Sequence, residues 1–305
     1  MKTKLFIGII ILITIAYLWP TKKYTFEENY HLKDAISESL KKFRQEPTKE
    51  VRIGKNSWKY HTAGKADTTI VFLHGMGGSY DIWWQQIYHF KTTYKTLSFT
   101  YPEVRSLEEL SAGFLAILKQ EKIDKVILVG SSLGGYLTQY LLVNHPDKII
   151  KASIGNSFPP NTENKTKNQS LVDIMQWLPE WLVIQKIREK YNTDVIPAAN
   201  NAPIVNAFLN ELLGNGVTKE TFINRYYCVI DPFEIKISDS IPVQIIESDN
   251  DPLVSENLRA LLKKSYPKAS LITLKAKGHF PYLNDAQNYN IALERFISKK
   301  QEKLK

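Results

Sequence analysis

Residues 126–137 read VILVGSSLGGYL, and this stretch decides the fold. Its first four residues, 126–129, are apolar and predict a buried strand. The next five, Gly130-Ser131-Ser132-Leu133-Gly134, match the pattern G-x-S-x-G, and residues 136–144 have the apolar spacing of a helix. A strand, a tight turn and a helix in this order form the context of a nucleophile elbow, which predicts a reactive hydroxyl on Ser132.

Two glycines allow this turn to be sharp. Gly130 and Gly134 lack the Cβ atoms that would clash there. Ser132 is then expected in a strained backbone conformation, with the amino end of the following helix favouring negative charge beside it. The alternative interpretation is a glycine-rich turn that only connects two elements, or one that holds a phosphate.

A second glycine-rich stretch, His74-Gly75-Met76-Gly77-Gly78-Ser79, follows a predicted strand at residues 69–73. Acyl transfer builds negative charge on the carbonyl oxygen, and preformed backbone N–H donors that point at this oxygen lower the barrier. One donor follows the nucleophile and the other lies in such a loop, which predicts the amides of Leu133 and Met76. His74 is expected to brace the loop by hydrogen bonding. No complete G-x-G-x-x-G is present, which disfavours a dinucleotide site.

Acidic residues and a histidine follow the late predicted strands. Asp249 and Asp251 come after one strand, and His279 comes after the next. The chain order Ser, Asp, His is the order that this kind of elbow requires. His279 would take the proton of Ser132, and one of the two aspartates would hold its imidazole. The alternative for either aspartate is a helix cap or a turn residue.

The remaining chain alternates predicted strands and helices, except in one long segment. Residues 49–156 and 240–305 carry the alternation, which is the signature of a mostly parallel sheet with helices on both faces. Between them, residues 157–239 carry aromatic and aliphatic residues at helical spacing and predict a helical lid inserted into this α/β core. Residues 21–48 are polar, contain one amphipathic pattern, and are assigned to a linker.

Residues 1–20 read MKTKLFIGIIILITIAYLWP, with two lysines ahead of an apolar run at residues 5–19. As a helix this run spans roughly 22 Å, and it needs help from its flanks to cross a hydrocarbon core of ~30 Å. We predict a single-pass N-terminal membrane anchor, with the catalytic domain outside the cytoplasm. The alternative is a signal peptide whose removal leaves a secreted or periplasmic protein, although no convincing A-x-A site follows the run.

Composition disfavours several other classes of protein. The length of 305 residues suits one large domain with an insertion, or two domains. The net charge of +9 comes from 40 basic and 31 acidic residues without a dense basic stripe, so no nucleic-acid partner is expected. Cys228 is the single cysteine, so no intramolecular disulfide can form. Metal-ligand spacing is also missing, and neither a metal nor a cofactor is expected.

These motifs resemble the α/β-hydrolase fold family over roughly residues 50–298, and within it the maspardin-type branch. The similar pieces are residues 128–135 around the elbow, GNSF at residues 155–158, Pro242-Val243 before the acid strand, and FPYL at residues 280–283. The resemblance implies a catalytic triad with Asp251 as its acid in preference to Asp249, because Asp251 opens a D-x-x-V turn. It also implies a possible loss of catalysis, since maspardin itself is regarded as a binding protein whose triad histidine is replaced. This chain departs from that pattern by keeping Gly278-His279.

The sequence therefore predicts a serine hydrolase that cleaves an ester or similar acyl bond, with Ser132, Asp251 and His279 as catalytic residues. The expected partner is a small-molecule substrate with an apolar acyl or aryl group, shielded by the lid. Two alternatives stay open: a non-catalytic maspardin-like binding or adaptor protein, and a carbon–carbon bond hydrolase of the same fold.

Overall fold

One eight-stranded sheet organises the protein, whose computed structural model describes residues 2–236 and 240–299. Neighbouring strands are parallel from the third position of this sheet onward, and antiparallel pairing is confined to its first edge. The strands are β1 (Lys49–Ile53), β2 (Asn56–Ala63), β3 (Thr69–Leu73), β4 (Lys95–Phe99), β5 (Val126–Ser131), β6 (Ile149–Gly155), β7 (Val243–Ser248) and β8 (Ser270–Leu274). Their order in the sheet is β1-β2-β4-β3-β5-β6-β7-β8, which confirms the predicted mostly parallel α/β architecture.

Helices cover both faces of this sheet. Side chains alternate along each strand, so Ile70 and Phe72 of β3 join one hydrophobic cluster while Val71 and Leu73 join the other. The helices are α1 (Lys2–Leu18), α2 (Phe26–Tyr30), α3 (Ala35–Gln45), α4 (Trp84–Phe90), α5 (Leu107–Glu121), α6 (Leu133–Asn144), α7 (Glu163–Met175), α8 (Glu180–Lys190), α9 (Ile196–Ala198), α10 (Pro203–Leu212), α11 (Lys219–Ile230), α12 (Glu256–Ser265), α13 (Pro281–Asn284) and α14 (Ala286–Ser298).

The decisive stretch forms the strand and helix that its pattern predicts, with longer bounds. β5 continues two residues past the predicted end at Val129, because Gly130 and Ser131 still pair with β6. α6 begins at Leu133, ahead of the predicted start at residue 136, since glycines at its amino end hide the apolar period there. The strand predicted at residues 69–73 has those bounds.

Residues 21–48 contribute directly to the core. They form α2 and α3, whose aromatic side chains Phe26 and Phe43 are 1% and 0% exposed. Arg44 of α3 donates to Asp81 at 2.8 Å and binds both carboxylate oxygens of Glu211 at 3.0 and 2.5 Å. These ion pairs join α3 to the turn that precedes α4 and to α10.

Five helices, α7 to α11, lie between β6 and β7, and we call residues 163–230 the helical insertion. A short π-helix at Tyr191–Val195 interrupts it between α8 and α9. The predicted end of the lid at residues 237–239 and the last residues of the chain, 300–305, lie outside the described residues.

The N-terminal helix overturns one prediction. No helix within residues 2–236 and 240–299 is long and apolar enough to cross a membrane. α1 has 17 residues, which is about 25 Å at 1.5 Å per residue and less than the ~30 Å of a hydrocarbon core. Its carboxyl end is instead hydrogen-bonded to the protein, because Trp181 Nε1 donates to the Ala16 carbonyl at 2.7 Å and Tyr17 Oη donates to the Trp177 carbonyl. The predicted single-pass membrane anchor is wrong, and so is the localisation that was built on it.

Glu121 at the end of α5 generates a prediction about stability. It accepts hydrogen bonds from Lys49 Nζ at 2.7 Å, Lys95 Nζ at 2.9 Å and Tyr60 Oη at 2.9 Å, which joins α5 to the antiparallel edge of the sheet. Burial alone would raise the pKa of Glu121, but these hydrogen bonds and the charge of Lys95 lower it to about 2.

We expect Glu121→Gln to lower the free energy of unfolding by about 1–3 kcal/mol at neutral pH, because it removes the charged partner of two lysines. The folded-state pKa lies below the ordinary value of 4.5, so this contribution is complete above that value and is lost as the pH falls toward about 2. Urea unfolding at about pH 7 and about pH 3.5 should therefore give a larger difference from the wild type at the higher pH.

Glu50→Gln is the control for this prediction, because Glu50 forms an exposed ion pair with Arg52. Its effect on the free energy of unfolding should be much smaller than that of Glu121→Gln at neutral pH, because water screens an exposed pair. A Glu121→Gln effect as small as that of the control at neutral pH would contradict the prediction.

Candidate active site

Ser132 has the strained backbone expected of a nucleophile elbow. Its φ of 55° and ψ of −120° lie in a backbone region where residues other than glycine are rarely found. Hydrogen bonds on both sides hold this conformation: Ser132 N donates to the Gly155 carbonyl at 2.9 Å, and the Ser132 carbonyl accepts from Tyr136 N at 2.9 Å and from Ser157 Oγ at 2.7 Å. The serine thus stands at the end of β5 and caps the amino end of α6.

The glycines around Ser132 permit close contact between α6 and the sheet. A Cβ atom on Gly130 would lie 2.2 Å from the Gly134 carbonyl oxygen, and one on Gly134 would lie 2.0 Å from the Leu73 carbonyl oxygen. A Cβ atom on Gly75 would lie 3.0 Å from Ser132 Cβ and 3.6 Å from Ser132 Oγ. The glycine-rich loop after β3 therefore runs directly beside the serine side chain.

Asp251 and His279 form a buried pair. His279 Nδ1 lies 2.9 and 2.8 Å from the two carboxylate oxygens of Asp251. The side chains of His279 and Asp251 are 3% and 0% exposed. Backbone N–H groups of Leu253 at 2.8 Å and Val254 at 3.2 Å also donate to Asp251 Oδ1, which fixes the carboxylate. With Nδ1–H donating to this carboxylate, Nε2 of the neutral ring is an acceptor.

Asn156 is a site residue that the sequence reasoning missed. It follows β6 with a φ of 39°, and its Nδ2 donates to Asp251 Oδ2 at 2.8 Å and to the Gly278 carbonyl at 3.2 Å. Burial alone would raise the pKa of Asp251, but its interaction with His279 and the hydrogen bonds from Asn156 and Leu253 hold that pKa below its ordinary value. The available signal was its place directly after a central strand, the same place that Ser132 has after β5.

The other aspartate has a different role. Asp249 Oδ1 accepts from Ala276 N at 2.8 Å, while Asp249 N donates to the Leu274 carbonyl at 3.1 Å. These bonds join the turn after β7 to the turn after β8. Among the described residues it is Asp251, and not Asp249, whose carboxylate contacts His279.

His74 braces the loop after β3. Its side chain is fully buried, Nδ1 donates to the Gly75 carbonyl at 2.7 Å, and Nε2 accepts from Tyr101 N at 3.3 Å. Its ring stacks on that of Tyr101 with centroids 3.8 Å apart. Burial, with a smaller contribution from the charge of Arg225, holds the pKa of His74 well below its ordinary value. Both ring nitrogens of this neutral histidine are occupied, so it has none left for proton transfer.

The predicted site residues all follow strands at the carboxyl edge of the parallel sheet. Met76 lies in the loop beside Ser132, and Leu133 begins α6, so both predicted oxyanion residues flank the serine. Asn156 connects Asp251 and His279 to this region. Its side chain donates to Asp251, and the residue before it, Gly155, accepts the hydrogen bond from Ser132 N. No hydrogen bond of the described residues joins Ser132 Oγ to His279 Nε2. Such catalytic bonds are often long without substrate and shorten when it binds.

Comparison with known proteins agrees with this architecture. The model of the alpha/beta hydrolase family matches residues 70–290, and the chain belongs to this family. Maspardin from Danio rerio is 26% identical over 245 residues, which are 78% of this chain and 77% of that protein. 3-oxoadipate enol-lactonase 2 from Acinetobacter baylyi is 24% identical over 261 residues, which are 79% and 92% of the two chains.

A solved structure shares the fold at lower sequence identity. The crystal structure of the enol-lactonase from Burkholderia xenovorans superposes with a TM-score of 0.70 at 15% identity, covering 82% of this chain and all 100% of that one. The resemblance to the α/β-hydrolase family and to its maspardin-like branch, predicted from short motifs, is confirmed.

The close contact at Gly134 can be tested by adding one methyl group. Gly134→Ala would place its Cβ 2.0 Å from the Leu73 carbonyl oxygen, so α6 or β3 must move. We expect a loss of about 2–3 kcal/mol in the free energy of unfolding, measured by urea denaturation.

Gly216→Ala is the matched control, because its added Cβ would meet Leu212 Cδ2 at an ordinary 3.5 Å. This variant should stay within about 0.5 kcal/mol of the wild type. Equal stability of the two variants would show that α6 does not depend on this contact.

Proposed function

We propose that this protein is a serine hydrolase that cleaves an ester or similar acyl bond through an acyl-enzyme on Ser132. The observation that carries the proposal is the buried Asp251–His279 pair, held by Asn156 at the same sheet edge as the strained Ser132. Membership of the alpha/beta hydrolase family supports hydrolysis as the class of reaction, and the similarity to an enol-lactonase supports an acyl–oxygen bond as the target.

In the proposed mechanism Ser132 Oγ attacks the substrate carbonyl carbon while His279 Nε2 takes its proton. Asp251 keeps the proton of the neutral ring on Nδ1 and stabilises the imidazolium that forms. His279 then gives its proton to the departing alcohol oxygen, which leaves the acyl group on Ser132. Water repeats the sequence with His279 as the base and releases the acid.

The oxyanion of each tetrahedral intermediate is assigned to the backbone amides of Met76 and Leu133. Leu133 N belongs to the amino end of α6, where the helix dipole favours negative charge. Met76 N shares its peptide group with the Gly75 carbonyl, which His74 Nδ1 binds, and this bond pre-orients the Met76 amide. Two such donors stabilise the oxyanion more than they stabilise the ground-state carbonyl, which is the condition for catalysis.

The similarity to maspardin favours a second candidate function, a non-catalytic binding protein. A binding protein has no need of a histidine that is hydrogen-bonded to a buried aspartate and fully withdrawn from solvent. The desolvation cost of Asp251 is offset here by donors from Asn156, Leu253 and Val254, an arrangement that serves proton transfer better than it serves adhesion. Chemical reactivity of Ser132 distinguishes the two candidates.

A fluorophosphonate probe tests this proposal, because it reacts only with an activated serine. We expect the wild-type protein to be labelled, Ser132→Ala to lose all labelling, and His279→Ala to be labelled about 10³-fold more slowly or less. Circular dichroism should give the same folded spectrum for all three proteins. A folded wild type that neither reacts with the probe nor hydrolyses any ester would favour the binding protein.

The two aspartates provide a matched pair of variants. Asp251→Asn should lower kcat by about 10²–10⁴-fold, because an amide cannot hold the proton of His279 in the same tautomer. Asp249→Asn keeps the oxygen that accepts from Ala276 N and should change kcat by less than about threefold. The reverse ranking of the two variants would reassign the triad acid.

The helical insertion is proposed to act as a lid that selects an apolar acyl or aryl group. Met76 packs against both hydrophobic clusters, and the Tyr191 hydroxyl of the insertion lies 2.8 Å from the position of a Cβ on Gly77. These contacts hold the insertion against the loop beside Ser132, which supports a lid with apolar side chains next to the site. With p-nitrophenyl esters, kcat/KM should rise from short or charged acyl groups to neutral groups of medium length. A steady fall along this series would reject the apolar lid.

A further inference from the structure

Arg225 of α11 is a buried arginine that binds the loop beside Ser132. It is 1% exposed, and its Nη1 donates to the carbonyl oxygens of Met76 at 2.7 Å and Gly78 at 2.9 Å. Its Nη2 donates to the Tyr101 carbonyl at 3.1 Å. Burial lowers the pKa of Arg225 to about 10, so the guanidinium remains charged at neutral pH.

This charge has backbone partners where a carboxylate would be the ordinary choice. Among residues 2–236 and 240–299, no acidic side chain forms an ion pair with Arg225. A buried cation without a direct counter-ion is costly, and here three carbonyl oxygens accept from Nη1 and Nη2 while Nε is buried without a hydrogen-bond partner among the described residues. A planar fork suits this task, because it can hold several acceptors in one fixed geometry. Within the described residues, the Arg225 guanidinium therefore binds backbone carbonyl groups and forms no ion pair with an acidic side chain.

Arg225 is one of three buried side chains that bind successive backbone carbonyl groups of the loop. Tyr101 Oη donates to the His74 carbonyl at 2.9 Å, and His74 Nδ1 donates to the Gly75 carbonyl at 2.7 Å. Arg225 holds the next carbonyl, that of Met76. In a trans peptide the C=O and N–H groups point in opposite directions. Holding the Gly75 carbonyl, as His74 does, therefore fixes the direction of Met76 N–H, and holding the Met76 carbonyl, as Arg225 does, fixes that of Gly77 N–H.

The neighbours of Arg225 hold α11 against the same region. Thr221 Oγ1 and Asn224 Nδ2 both donate to the carboxylate of Glu103 at 2.6 Å. Glu103 lies two residues after Tyr101, whose carbonyl Arg225 binds. The helical insertion therefore binds both loops that surround His74, through one helix.

We propose that Arg225 is a positioning residue that holds the loop of residues 74–79 in the shape required for the oxyanion site. The inference rests on the proposed serine hydrolase function and deepens it. Arg225 is assigned to act through the loop, because it is buried and its Nη1 and Nη2 groups are bound to Met76, Gly78 and Tyr101. Loss of the guanidinium would release the Met76 and Gly78 carbonyls, and with them the directions of the Gly77 and Ser79 amides. The insertion thereby contributes to the shape of the loop that carries the proposed oxyanion donor Met76 N.

The test compares two variants of Arg225 with a matched arginine in the full-length protein. Arg225→Met removes the charge and all three hydrogen bonds while keeping a stem of similar length. Arg225→Lys keeps the positive charge but lacks the planar guanidinium that binds three carbonyl groups at once. Arg188→Met is the control, because Arg188 of α8 likewise donates to two carbonyl groups, those of Lys22 and Leu213, outside the loop.

Kinetics with a p-nitrophenyl ester, normalised to folded protein by near-ultraviolet circular dichroism, give the first readout. We expect Arg225→Met to lower kcat by about 10²-fold, the loss typical of a misplaced catalytic group, with KM changed by less than about threefold. Arg225→Lys should lower kcat at least tenfold, and it decides the question if Arg225→Met does not fold. Arg188→Met should stay within about twofold of the wild type.

Hydrogen exchange of peptides that cover residues 74–79 gives the second readout, which does not depend on activity. Both Arg225 variants should exchange faster there than the wild type and Arg188→Met. Wild-type kcat in folded Arg225→Lys, or unchanged exchange in the loop, would overturn the inference while leaving the serine hydrolase intact. A wild type without esterase activity or probe labelling would instead overturn the proposed function, and the exchange data would still report whether Arg225 orders the loop.

Discussion

The structure depends on the close approach of α6 to β3 and β5. At this contact Gly134 passes so near the Leu73 carbonyl that a single added carbon would lie 2.0 Å from its oxygen. The approach leaves no room for a gradual bend, so the chain turns at Ser132 with a φ of 55°. Backbone strain of this kind persists only where its surroundings over-determine it. Three hydrogen bonds to the backbone of Ser132 do so here.

Parallel pairing then gathers the chemistry at one edge of the sheet. The carboxyl ends of β3, β5, β6, β7 and β8 are followed by the glycine-rich loop, Ser132, Asn156, Asp251 and His279 respectively. These segments are far apart in the chain, yet β3, β5, β6, β7 and β8 are consecutive neighbours in the sheet. β4 lies on the other side of β3. Ligand sites of open α/β sheets form at this edge for the same reason. The fold thus supplies proximity, and the local turns supply orientation.

The surroundings of the site distinguish it from a bare set of motifs. His74, Tyr101 and Arg225 are each buried, and together they hold the carbonyl groups of the loop beside Ser132. Asn156 links Asp251 to Gly278, in the turn that carries His279. A preorganised active site needs such supporting residues, because the groups that contact the substrate must already point correctly when charge develops. The family alone does not require them, because one fold hosts many functions.

The sequence by itself determined the α/β class, the elbow around Ser132 and the candidate histidine, because these depend on local periodicity and on glycines that only a sharp turn needs. It left Asp249 and Asp251 open as the acid on residue chemistry alone, since two residues of a turn can point in opposite directions. It assigned no role to Asn156 or Arg225, whose hydrogen-bond partners Asp251 and Met76 lie 95 and 149 residues away. It also read the apolar run of α1 as a membrane anchor, where the folded helix is too short and its end binds the insertion. Such long-range hydrogen bonds exist only once the sheet has brought strand ends together, and so the tertiary structure alone decided them.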